Sequence, residues 1–137
     1  MKFNPMTSKG FLSIGGILLI LLAVLGFVLP GGAVLGDLLW FSTAENVAHL
    51  VLGVTALAAL YIIPANLHKP LIILVGVIAL FFGLYGFILP QNMVGKGFNT
   101  FGVANLESPL ENLVHVIVGA WALYVAFMAK GEAMAKT

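Results

Sequence analysis

The chain has 137 residues, 61% of them hydrophobic and 8% charged, with a formal net charge of +1 and no cysteine. A soluble domain is roughly 25% charged, so a stand-alone soluble enzyme is excluded, and so is intrinsic disorder, which needs low hydrophobicity. With no arginine and no basic stripe, nucleic acid is excluded as a partner; the missing thiols exclude disulfides and thiolate metal sites.

A bilayer core of about 30 Å takes roughly 20 apolar residues as a helix, and four runs qualify: 11–29, 47–63, 71–89 and 110–129. The first follows Lys2 and Lys9 and precedes the small residues Gly31 and Ala33, a signal-peptide pattern. Its apolar stretch is longer than the roughly 7–15 residues of such a signal, and it reads as a span. Trp40 and Phe41, in the loop that follows, suit an interfacial aromatic belt. Ser42-Thr43-Ala44-Glu45 then spells a capping box opening the second span.

Between the second and third runs, His68 stands beside Lys69 and reads as a solvated loop residue. The third run carries a small-residue stripe, Gly76, Ala79, Gly83 and Gly86, suited to close helix packing. Phe81, Phe82 and Tyr85, with Trp121 in the fourth run, read as packing residues against neighbours or lipid. The loop 90–108 is long for so small a protein, as a docking surface or a lid would be. Ser108-Pro109-Leu110-Glu111 repeats the capping box, with proline at the favoured first helical position.

Five lysines, Lys2, Lys9, Lys69, Lys130 and Lys136, fall on one side of the four spans and only Lys96 on the other. The positive-inside rule therefore predicts both termini in the cytoplasm, in a bacterial inner membrane.

The two halves resemble each other. Gly26-Phe27-Val28-Leu29-Pro30 recurs 60 residues later from Gly86, and Glu45-Asn46-Val47-Ala48-His49 recurs 66 residues later as Glu111-Asn112-Leu113-Val114-His115. Gly53 and Gly119 follow in register, and the change of offset puts a six-residue insertion in the second outer loop. The predicted fold is one all-α membrane domain over 1–137. Two hairpins, about 10–66 and about 70–130, form parallel repeats about a pseudo-twofold axis along the membrane normal.

The duplicated Asn46, His49 and Gly53, with Asn112, His115 and Gly119, are the candidate site. Glycine at that spacing lets helix backbones approach while asparagine and histidine hydrogen-bond between helices. Alternatively, the gap over each glycine admits a flat ring with the histidine as its axial ligand, as for haem or chlorophyll. Glu45 with His49 and Glu111 with His115 share a helical face at i,i+4, so a mixed carboxylate and histidine metal site is conceivable, but capping accounts for the glutamates and no metal or catalytic residue is assigned. No P-loop, HExxH or catalytic triad pattern is present.

From Phe101-Gly102-Val103 to Glu111-Asn112-Leu113-Val114-His115-Val116-Ile117-Val118-Gly119, the second repeat resembles the signature of the DUF4383 family of uncharacterised four-span bacterial membrane proteins. That resemblance implies the fold and assigns no activity. The expected function is a non-catalytic structural or accessory subunit, in a homo-oligomer or with other membrane subunits and without a cofactor. A haem or chlorophyll carrier and a small-solute or proton channel are the alternatives.

Overall fold

The computed structural model describes residues 4–37, 39–88 and 110–128. Four helices dominate it: α1 (Ser8–Val28), α2 (Thr43–Ile62), α3 (His68–Ile88) and α4 (Leu110–Met128). All four are long and apolar enough to cross a membrane. Only 22% to 33% of each span is buried within the molecule, and side chains such as Val28, Tyr61, Ile62 and Ile88 are almost wholly exposed. Helices this apolar and this uncovered need hydrocarbon around them. The residues 89–109 and 129–137, which hold the second outer loop, its Ser108 cap, Lys96, Lys130 and Lys136, lie outside the described residues, as does Lys2.

Local chemistry sets the helix starts. Thr7 caps α1, its hydroxyl accepting from the Gly10 N–H at 3.0 Å, which begins the helix ahead of the apolar run. At α2 both halves of the predicted capping box form: the Glu45 N–H donates to Ser42 Oγ at 3.3 Å, and the Ser42 N–H donates to Glu45 Oε2 at 2.7 Å. Between α1 and α2, a 3₁₀ turn over Pro30–Gly32 leads into a four-residue strand, β1 (Val34–Asp37). Gly31 and Gly32 have positive φ, which glycine adopts without steric cost. The space beside Gly32 is filled by the Phe41 backbone, whose N–H donates to Gly32 O at 3.0 Å.

α1 packs along α2, and α3 along α4. The two seams are built from equivalent residues. In α1, Leu12, Gly16, Ala23 and Gly26 are buried; in α3 the residues 60 further on, Ile72, Gly76, Gly83 and Gly86, are buried too. Likewise Glu45, Asn46, Gly53 and Ala59 of α2 match Glu111, Asn112, Gly119 and Val125 of α4 at the offset of 66. A methyl group placed on Gly53 would lie 2.8 Å from Gly16 O, and one placed on Gly119 would lie 3.0 Å from Gly76 O. Backbone thus touches backbone at each crossing, a contact open only to residues without a side chain.

The hairpins join at the end that holds the α1 start and the α2 to α3 connector. Phe11, Leu12, Ala59, Ile72, Ala122, Val125 and Ala126 form one apolar cluster there, drawn from all four helices. Trp121 reinforces it, with its ring edge-on to Phe11 at 4.6 Å and its Nε1–H donating to Pro5 O at 3.1 Å. Phe81, Phe82 and Tyr85 pack on one another along α3.

Candidate functional site

The candidate residues occupy the first three turns of α2 and α4, at the end opposite the apolar cluster. Glu45, Asn46, Glu111 and Asn112 are all buried, Asn112 completely. The capping box holds Glu45 at the α2 terminus, where the helix dipole favours its negative charge. Each asparagine lies flat against the partner helix: the Asn46 carboxamide fills the space where Gly26 lacks a side chain, and Asn112 does the same at Gly86.

The close approach at glycine is as the sequence implied, but among the described residues the expected hydrogen bonds across the helices are missing at three asparagine atoms. Asn46 Oδ1 and both polar atoms of Asn112 have no hydrogen-bond partner among the described residues. The reason is geometric. Each carboxamide meets the side of an α-helix, where the backbone groups are already paired within their own helix. The carboxamides therefore serve as shaped packing groups, at the expense of unpaired polar atoms.

The histidines are half-buried and differ from one another. His115 Nδ1 donates to Glu111 O, one turn back in its own helix, at 2.9 Å, which leaves Nε2 as the nitrogen with a lone pair. His49 makes no such bond: its Nδ1 is buried without a partner, and its ring stands edge-on to Phe41 at 4.9 Å. Phe41 is accordingly buried, not part of an interfacial belt; the chain turns its ring inward onto His49 as it enters α2. Glu45 acts electrostatically on His49 in its own helix and on His115 of α4.

The space beside each glycine is filled from within its own hairpin. Ile20 and the Gly16 carbonyl occupy the space beside Gly53; Leu80 and the Gly76 carbonyl occupy that beside Gly119. These glycines serve the helix crossings. Among the described residues no group of three or more His, Asp or Glu side chains could hold a metal ion.

His68 is the residue that sequence reasoning misplaced. It is 2% exposed, and its Nε2 lies 3.0 Å from Ala59 O and 3.1 Å from Ile63 O. The last carbonyls of a helix lack partners within it. The chain folds back over α2 after Pro64, and the imidazole donates to Ile63 O, just past the helix end, and to Ala59 O, which also accepts from the Ile63 N–H. A basic side chain just past a helix end is the signal that could have suggested this.

No family model, curated protein or solved structure matches the chain. Geometry and sequence therefore carry the functional reading.

Proposed function

We propose that this is a non-catalytic membrane subunit, a structural or accessory part of a homo-oligomer or of a larger membrane assembly. One observation carries the proposal: the duplicated polar motif is largely used in building the hairpins. Glu45 closes a capping box, Asn46 and Asn112 pack onto Gly26 and Gly86, and Gly53 and Gly119 form the crossings. A pump would call for buried charges along a path through the spans, whereas Glu45 and Glu111 sit in the first turns of their helices. The matching seams support a pseudo-twofold relation between the hairpins. The resemblance to the DUF4383 family fits the same four-span fold and brings no activity with it. The lysine distribution supports an inner-membrane protein with both termini cytoplasmic.

Native mass spectrometry of the chain extracted with its surrounding lipid tests the proposal. A fixed stoichiometry, with further copies or with a second polypeptide, is the expected result. A monomer that carries a visible absorption band lost in the His49→Leu, His115→Leu double variant would overturn it, and so would solute or proton flux through liposomes that depends on the protein. Orientation is tested separately by single cysteines in this cysteine-free chain. Asn66→Cys should react only from the cytoplasmic face and Leu35→Cys only from the opposite one.

A further inference from the structure

We propose that His68 is the joint that sets the angle between the two hairpins, and through it the spacing of the polar turns at their far ends. The connector between α2 and α3 is short. Ile63 N donates to Ala59 O at 3.1 Å, Pro64 has no N–H to give, and Leu67 N donates to Pro64 O at 2.9 Å across a single 3₁₀ turn. His68, the first residue of α3, reaches back over that turn to the carbonyls of Ala59, in the last turn of α2, and of Ile63, just past its end. Both partners are acceptors only, so Nε2 carries the hydrogen and shares it between them. In the singly protonated ring Nδ1 is then the bare nitrogen, and it is buried without a partner.

The next residue holds the other side. The Lys69 ammonium lies 5.3 Å from the centre of the Phe127 ring on α4, within the range of a cation–π contact. The start of α3 is thus clasped to the end of α2 by His68 and to the end of α4 by Lys69, beside the apolar cluster that joins all four helices. A pivot at one end acts over the whole length of a helix. The 20 residues of α2 span about 30 Å at 1.5 Å per residue, so a rotation of about 10° at the joint moves the opposite end by about 5 Å. That end carries Glu45 and His49, and Glu45 acts electrostatically on His115 of the other hairpin. His68 touches none of these groups; it is a positioning residue that acts through the helices.

The test is a distance measurement on the full chain in lipid nanodiscs, with spin labels at Val47→Cys and Leu113→Cys, both exposed near the far ends of α2 and α4. His68→Ala should shift or broaden the distance distribution by several ångströms. His68→Gln, whose amide can donate at similar reach, should restore it. An unchanged distribution in His68→Ala overturns the proposal, and so does an equal disturbance by both substitutions, since loss of ring volume alone would then account for it. If His68→Ala does not fold, nitrogen NMR of the unaltered protein in bilayers decides. A His68 ring protonated at Nε2 is expected, and one protonated only at Nδ1 overturns the assignment. Labelled chain diluted with unlabelled chain confines the measured distance to one copy whatever the oligomeric state, so this joint and the proposed function can fail separately.

Discussion

Replacing Gly53 by alanine tests the glycine crossings directly. The added methyl would lie 2.8 Å from Gly16 O, 2.8 Å from Ile20 Cγ1 and 3.0 Å from Ile20 N. Ordinary contact at carbon needs about 3.5 Å or more. Two of the three atoms are backbone, which cannot swing aside as a side chain could, so α1 and α2 must separate along the seam. Overpacking of this kind costs about 1–3 kcal/mol, set against about 1 kcal/mol gained from the better helix propensity of alanine. A net loss of about 0–2 kcal/mol is expected, and a deficit of about 1–3 kcal/mol against a variant that keeps the propensity gain alone. Gly15→Ala is the control: it lies one residue from the seam, and nothing stands within 4 Å of its added methyl, so only the propensity gain remains. Reversible unfolding of both variants in mixed micelles, followed by tryptophan fluorescence, gives the comparison. If Gly53→Ala is as stable as Gly15→Ala, the helices are not in backbone contact at that point and the account of the seam fails.

Ser42→Ala removes the hydroxyl half of the α2 capping box and should cost about 1 kcal/mol, read from the same unfolding curves; no change would mean that the cap is redundant. Trp121→Phe keeps a ring against Phe11 but loses the bond to Pro5 O. It should lower stability by about 0.5–1.5 kcal/mol, with faster proteolysis near the amino terminus. Asn112→Leu replaces a carboxamide with no partner among the described residues by an apolar group of similar shape. It should be neutral or raise stability by about 1 kcal/mol, and a loss well beyond that would reveal a water or partner on the carboxamide.

The spans were legible because a run of about 20 apolar residues has few other uses, and the seams because the two halves repeat the same glycines. The capping box over Ser42 and Glu45 was legible too, since its spacing is fixed by the first turn of a helix. His68 was not legible. Its partners, Ala59 O and Ile63 O, are backbone groups that carry no mark in the sequence, and only the path of the connector brings them within reach. Phe41 and the asparagines misled for a related reason. Residue type gives a preference for interface or for hydrogen bonding, whereas the direction of the chain at Gly32 and the paired backbone of the facing helix decide whether it can be met.

The fit of Asn46 against Gly26 bears on how the chain enters the membrane. Against α1 the Asn46 Oδ1 stays unpaired, so what α1 supplies is a notch at Gly26 shaped to the carboxamide, which fluid lipid tails do not offer. The second span is therefore poorly suited to meet lipid alone, and α1 is already made when α2 emerges during synthesis. The same holds for Asn112 and α3. Each hairpin should leave the insertion machinery as a pair, with the earlier helix acting as a chaperone for the later one, so the order of the helices along the chain is itself part of the assembly mechanism.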